Sequence, residues 1–174
     1  DVNNLYGAYT KAIRGKRYKS EVIEYNQNFE KNIYALQNQL STGTIATGNY
    51  HYFTIHDPKE RLICAASFPE RVLHHALMNV CHAHFERHLI DQTYATRKHK
   101  GTYAAIDLAK KALFRYPYFA KLDIRKYFDS INKPILKNQL SRLFKDKQLL
   151  MIFDRIIDSY KPESQSGIPI GNLT

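Results

Sequence analysis

Apolar residues recur at helical spacing along most of the chain. Between Ser20 and Leu40 they return at alternating steps of three and four residues, which predicts one amphipathic helix with Ser20 as its N-cap and Gly43 just past its end. Similar stripes predict helices over 69–89 and 148–160, and Asn132 followed by Pro134 predicts a capped helix start. Such stripes are typical of core packing, so we expect several helices around a common core.

Three stretches alternate apolar and polar residues as strands do. The first two, 49–56 and 61–66, are separated by a turn at 57–60 and predict a β-hairpin. The third, Tyr118–Ile124, predicts a short buried strand that ends close to the carboxylate of Asp123. Helices combined with antiparallel strands predict an α+β fold.

The charge of the chain points to a polyanionic partner. There are 26 Lys and Arg residues against 16 Asp and Glu, a net charge of +10 in 174 residues, which is about one domain. Nine of the basic residues and only two acidic ones fall between Arg97 and Lys126. No apolar run is long enough for a bilayer and no signal-peptide pattern is present, so we expect a cytoplasmic protein without a membrane partner.

The cysteines and histidines do not indicate a metal centre. Cys64 and Cys81 lie in apolar surroundings without finger or redox spacing, which predicts buried free thiols. His84 and His88 would share a helix face near His82, but no H-E-x-x-H signature accompanies them. The sequence therefore disfavours a zinc site.

Asp123 is the strongest candidate for chemistry. It follows apolar strand residues and lies among Lys121, Arg125 and Lys126. A carboxylate so placed is suited to hold a divalent metal ion against phosphate. The simpler interpretation is a turn or N-cap residue whose side chain accepts hydrogen bonds from nearby backbone amides.

The surrounding stretch FAKLDIRKYFDSI, residues 119–131, resembles the reverse transcriptase palm motif that carries the first catalytic aspartate. The resemblance implies that Asp123 is catalytic and binds two Mg²⁺ ions, with the backbone carbonyl of Ile124 as a further ligand. It also implies that Tyr127 and Phe128 belong to the nucleotide pocket, where Phe128 lies under the sugar and rejects a 2′-hydroxyl.

Two upstream blocks resemble the same family in the same order. RLICAASFPERV, residues 61–72, is similar to the fingers block, and Arg-x-x-x-Gly-Thr-x-x-Ala, residues 97–105, is similar to the second block. The first block implies that Arg61 binds the triphosphate of the incoming nucleotide. It implies the same role for Lys59, whose match to the family is weaker. The template-binding residues implied by the two blocks are Arg71, Arg97, Lys98, Lys100 and Gly101.

A fourth block, Gly-Ile-Pro-Ile-Gly-Asn-Leu-Thr at 167–174, resembles the family's Gln-Gly block, with Ile170 where most prokaryotic relatives have Gln. Ile170 and Gly171 are thereby implied in the nucleotide pocket. The aliphatic residue is typical of reverse transcriptases from diversity-generating retroelements, which copy with errors opposite adenine. Group II intron and retron reverse transcriptases are the nearest alternatives.

The resemblance implies RNA-templated DNA synthesis by a longer protein with fingers over 1–118 and part of a palm over 119–174. The implied partners are an RNA template, a DNA or RNA primer, dNTPs and a small basic accessory protein. No Tyr-x-Asp-Asp pair follows in these residues, so the two-Mg²⁺ site would be incomplete and the chain alone inactive. Asp154 and Asp158 are interpreted as a solvated helix face.

Two other functions remain open from the sequence. A non-catalytic RNA-binding protein built on a reverse-transcriptase-like scaffold would share the basic loops. A plain basic scaffold domain would require the four ordered blocks to be coincidental.

Overall fold

A computed structural model describes residues 1–56, 60–160 and 166–169. These ranges form helices and one two-stranded antiparallel sheet, which confirms a mixed α+β architecture. None of the helices within them combines the length and the apolar character needed to cross a bilayer. The elements are α1 (Val2–Ala12), α2 (Ser20–Gln27), α3 (Phe29–Thr42), β1 (Tyr50–His56), β2 (Glu60–Ala66), α4 (Phe68–His88), α5 (Thr102–Arg115), α6 (Tyr127–Ser130), α7 (Lys133–Leu143) and α8 (Lys147–Ser159).

The predicted single helix over 20–40 is two helices, and that prediction was wrong. Asn28 has φ −127° and ψ 38°, outside the helical region, and separates α2 from α3. The side-chain amide of Asn32 donates to the Tyr25 carbonyl at 2.8 Å, so an oxygen near the end of α2 is satisfied without helix continuation. Ser20 is the first helical residue rather than the N-cap, whereas Gly43 ends α3 in the left-handed conformation as predicted.

The hairpin is confirmed, in a register that pairs Tyr50 with Ala66 and His56 with Glu60. Most of β1 is exposed, whereas Cys64 and Ala66 of β2 are buried. The hydroxyl of Tyr50 and Oγ of Ser159 lie 2.7 Å apart at the end of α8. The hairpin therefore has one face directed to the interior near its base.

The hydrophobic core joins the N-terminal helices, the first half of α4 and α8. Phe68, only 1% exposed, contacts Tyr25 edge to face with ring centroids 5.0 Å apart. α8 contributes Ile152 and Ile156 to the same cluster. Its other buried members are Leu5, Ala8, Ala12, Val22, Ile33, Leu36, Ile45, Val72, Leu73, Ala76 and Leu77.

The last two long helices form as predicted, but not over a palm sheet. The Asn132 side chain caps α7 by accepting from the Ile135 amide at 3.0 Å. α7 and α8 pack on each other, and Lys137 pairs with the exposed carboxylates of Asp154 and Asp158. Within the described ranges the hairpin is the only sheet, so the expected sheet beneath these helices is not there.

The predicted strand over 118–124 is also wrong. These residues are irregular and exposed, with Tyr118 at 90% and Leu122 at 92% exposure. A strand is stable only when its backbone amides and carbonyls pair with a neighbouring strand. In the described part of the chain the only strands are β1 and β2, and they pair with each other.

The chain divides into two compact units. One comprises Asp1–Val80 with Lys126–Thr174, and the other comprises Cys81–Arg125. The boundary at 118/119 expected between fingers and palm stays a prediction. Cys64 belongs to the first unit and Cys81 to the second, and both are buried free thiols as predicted.

Acid is expected to destabilise the fold through His74 of α4. This side chain is 1% exposed, and burial, with a smaller contribution from His75, lowers its pKa from 6.5 to about 4. Between these two pH values the unfolded chain takes up a proton that the folded chain does not. The contribution of His74 is therefore present above pH 6.5 and lost as the pH falls toward 4. From near pH 7 to near pH 5, the expected loss in free energy of unfolding is about 2 kcal/mol.

Urea denaturation at both pH values checks this expectation. His74→Leu should reduce the loss, whereas His51→Leu, at an exposed strand position, should retain it. Burial raises the pKa of Glu70, which makes the fold more stable in acid. That effect is common to the wild type and both variants. Equal acid sensitivity of the His74→Leu and wild-type chains would contradict the assignment.

Candidate nucleotide and nucleic-acid site

Two aromatic side chains begin the short helix α6. Tyr127 and Phe128 lie with ring centroids 5.3 Å apart in an edge-to-face arrangement and remain 51% and 38% exposed. Lys126, just before them, has φ 49° in the left-handed region, which turns the chain sharply into α6. The arrangement leaves an aromatic surface on which a flat or apolar group can pack.

The segment 166–168 lies directly against this turn. The Gly167 amide donates to the Ile131 carbonyl at 2.8 Å, and the Ile168 amide donates to the Phe128 carbonyl at 3.0 Å. The Ser166 hydroxyl donates to the Asp129 carbonyl at 3.1 Å. The structure thus brings together two blocks that are more than 30 residues apart in sequence.

Gly167 is a site residue that the sequence analysis did not single out. A Cβ at this position would lie 2.9 Å from both the Asp129 Cα and the Phe128 carbonyl oxygen. Its φ of +90° is also one that residues with a side chain rarely adopt. The signal in the sequence was the glycine directly before Ile-Pro, but only the contact with Asp129 shows why it is needed.

Gly167→Ala is expected to open the contact between 166–168 and α6. Backbone strain of this kind costs about 1–3 kcal/mol, and the clash adds to it. We expect the Ile168 amide to exchange with solvent at least about tenfold faster, measured by hydrogen exchange. Gly101→Ala is the matched control, because Gly101 has φ +101° but a Cβ there would meet nothing within 4 Å. Unchanged Ile168 exchange in Gly167→Ala would contradict the steric argument.

The second predicted block forms a loop that is built around Arg97. Its guanidinium pairs with Glu86 at 2.7 Å and also donates to the Ile90 carbonyl at 2.7 Å, and the side chain is only 7% exposed. The hydrogen bond from Arg97 is the main cause that lowers the pKa of Glu86. Arg97 therefore shapes the loop, and its predicted contact with a template would require these bonds to open.

The rest of this loop presents positive charge to solvent. Lys98 is exposed, whereas Lys100 donates to the Asp91 carbonyl and lies 5.5 Å from the centroid of the Tyr94 ring. Gly101, at φ +101°, is the N-cap residue directly before α5. Glu86, which neutralises Arg97, lies eleven residues upstream on α4, and no sequence pattern indicated this pairing.

The two fingers arginines differ in their surroundings. Arg61 is an exposed residue of β2, opposite Ile55. Arg71 is mostly buried, is paired with Glu21, and has its guanidinium carbon 5.6 Å from the centroid of the Phe68 ring. Of these two predicted contacts to nucleotide and template, Arg61 is the more accessible.

Asp123 and Ile124 lie on the exposed irregular stretch before Lys126. No cluster of three or more His, Cys, Asp or Glu side chains suited to a metal occurs in the described ranges. Mg²⁺ is commonly bound by one or two carboxylates together with substrate phosphates and water. An accessible Asp123 is suited to be one of these carboxylate ligands. It does not by itself supply the ligands for two ions.

Three of the predicted site residues, Lys59, Ile170 and Gly171, lie outside the described residues, so their roles stay predictions.

Comparison of the chain with models of known protein families gives no match, and comparison with curated proteins gives no significant one.

Proposed function

We propose that this chain is part of an RNA-directed DNA polymerase of the reverse transcriptase type, most similar to those of diversity-generating retroelements. The proposal is supported by four sequence blocks in the order typical of that family. The blocks are RLICAASFPERV, RKHKGTYAA, FAKLDIRKYFDSI and GIPIGNLT.

The contact between α6 and 166–168 is the structural observation that carries the proposal. In the proposed pocket, Phe128 and the fourth block, through Ile170 and Gly171, serve the same nucleotide, so the two blocks must lie together. The 3.0 Å bond from the Ile168 amide to the Phe128 carbonyl is consistent with that requirement.

The proposed metal ligands are the carboxylate of Asp123 and the backbone carbonyl of Ile124. Mg²⁺, when bound, would supply electrostatic stabilisation of the phosphate oxygens. The aspartate would hold the ion, and its exposure leaves it open to a substrate phosphate. Phe128 would pack against the sugar of the incoming nucleotide and oppose a 2′-hydroxyl by its bulk.

Positive charge would bring the nucleic acid to this site. Phosphate contacts by Lys and Arg supply most of the sequence-independent affinity of nucleic-acid-binding proteins. In the second block, exposed Lys98 is the most accessible cation, and Arg97 orders the loop through Glu86. Arg61 on the hairpin is the candidate for the triphosphate.

A non-catalytic RNA-binding protein is the second candidate. It is favoured by one observation, the irregular and exposed backbone at 118–124 in place of a strand that would orient Asp123. Such a protein would keep the basic loops and bind RNA without extending a primer.

Primer extension by the complete gene product separates the two candidates. The enzyme proposal expects Mg²⁺-dependent incorporation of dNTPs on an RNA template, with errors concentrated opposite adenine for the retroelement type. Accurate copying would favour a group II intron or retron relative. RNA binding without any extension would reject the enzyme proposal in favour of the second candidate, and the isolated 174-residue chain is expected to be inactive.

A further inference from the structure

The unit Cys81–Arg125 carries several exposed aromatic side chains on α5 and on the chain that follows it. No residue of α5 is buried, and the chain that follows it is exposed as far as Arg125. Large exposed apolar surfaces on a folded protein mark binding sites. We call the following residues, which line one groove, the aromatic face, with their exposures: Tyr116 (55%), Tyr118 (90%) and Phe119 (81%).

A groove runs between α5 and the residues that follow it. Its volume is about 400 Å³, within the range of small-ligand pockets. Alanines at 109, 112 and 120 leave room for a flat group, while Tyr118 and Phe119 supply aromatic walls. The remaining lining residues are Leu113 and Tyr116.

Exposed cations lie next to the groove-lining residues in the sequence. Lys110, Lys111, Arg115 and Lys121 are all exposed, and the Arg115 guanidinium carbon lies 5.6 Å from the centroid of the Tyr116 ring. Between 102 and 125 the acidic residues are Asp107 and Asp123, against five Lys and Arg residues. An apolar protein partner would explain the aromatic side chains but not these neighbouring cations.

We propose that the aromatic face binds single-stranded nucleic acid, with bases stacked on Tyr118 and Phe119. Phosphates would then contact the neighbouring exposed lysines and arginine. Proteins that bind single strands combine aromatic stacking with a positive groove, and both occur here within one unit. A duplex keeps its bases stacked inside, so it can use the charges but not the aromatic rings. This binding requires neither Mg²⁺ nor the proposed polymerase activity.

The first test is the affinity of the 174-residue chain for a fluorescent oligouridine of about 20 nucleotides, measured by anisotropy in EDTA. Tyr118→Ala/Phe119→Ala should weaken binding about tenfold or more, because removal of each base–aromatic stack has a substantial cost. Tyr34→Ala, at a 54% exposed aromatic position on α3, is the matched control and should bind as the wild type does. A duplex of the same length should be insensitive to the aromatic substitutions.

The second test separates stacking from charge. Lys110→Gln/Lys111→Gln should reduce the slope of log affinity against log salt by about 0.7 for each phosphate that is no longer neutralised, whereas the aromatic variant should leave the slope unchanged. Circular dichroism checks that each variant is folded. If the aromatic variant unfolds, the lysine variant, with exposed substitutions only, still tests the surface.

Two results would overturn the proposal. One is oligouridine binding that neither pair of substitutions alters. The other is a dimer, detected by light scattering, that becomes a monomer on Tyr118→Ala/Phe119→Ala, because the face would then be covered by a second copy. Failure of primer extension by the complete gene product would reject the proposed polymerase function without affecting either measurement.

Discussion

Asp123→Ala is expected to lower primer extension by the complete gene product at least about a hundredfold. Removal of one electrostatic interaction with the charge that develops in the transition state commonly lowers the rate by that much. A metal ion held by Asp123 would interact with the same charge. The substitution removes a negative charge from a stretch that already carries nine basic residues, so RNA affinity should not fall. The expected pattern is therefore abolished extension with RNA binding retained.

Asp107→Ala is the matched control for this prediction. Asp107 is the other acidic residue between Arg97 and Lys126, and it is exposed on α5. The same change in charge at Asp107 should leave extension within about twofold, because no catalytic role is proposed there. Equal activity of the Asp123→Ala variant and the wild type would exclude Asp123 as a metal ligand.

Phe68→Ala is expected to reduce the free energy of unfolding by about 3–5 kcal/mol. Phe68 is 1% exposed and lies edge to face with Tyr9 and Tyr25, at centroid distances of 6.1 and 5.0 Å. Alanine would remove these contacts and leave a cavity between α1, α2 and α4. Because domains of this size are stable by only about 5–15 kcal/mol, the variant should lose a large share of its stability.

Urea denaturation of the 174-residue chain measures this effect, with Phe114→Ala as the control. Phe114 is 94% exposed, so the same substitution there should change stability by no more than about 0.5 kcal/mol. Comparison of the two variants separates the effect of losing a buried ring from the effect of replacing any Phe by Ala. A loss below about 1 kcal/mol for Phe68→Ala would contradict the core described for this unit.

Sequence patterns located most of the elements because their signals are local. The Asn132 cap, the Gly43 helix end and the pairing of the two hairpin strands depend on residues close together in the sequence, and all three form. The division of the predicted long helix at Asn28 was missed, because the apolar stripe continues across it. Its stabilising bond, from Asn32 to the Tyr25 carbonyl, is one of several that an asparagine could make.

The candidate site was predictable as a set of residues but not as an arrangement. Gly167 could be read as a flexible glycine, yet its necessity depends on the backbone of Asp129, 38 positions earlier. Arg97 read as a free cation, and its pairing with Glu86 depends on how the loop returns to α4. Both are contacts between segments that are distant in the sequence, and a periodic pattern does not reveal such contacts.

Composition and short-range order therefore established the helices, the hairpin, the basic stretch and the four blocks that resemble a reverse transcriptase. Tertiary structure was needed to show that the alternating residues 118–124 remain exposed and irregular, and that 166–168 pairs with α6. The physical reason is the same in both cases. A helix satisfies its hydrogen bonds within its own sequence, whereas a strand or an extended segment requires a partner from elsewhere in the chain.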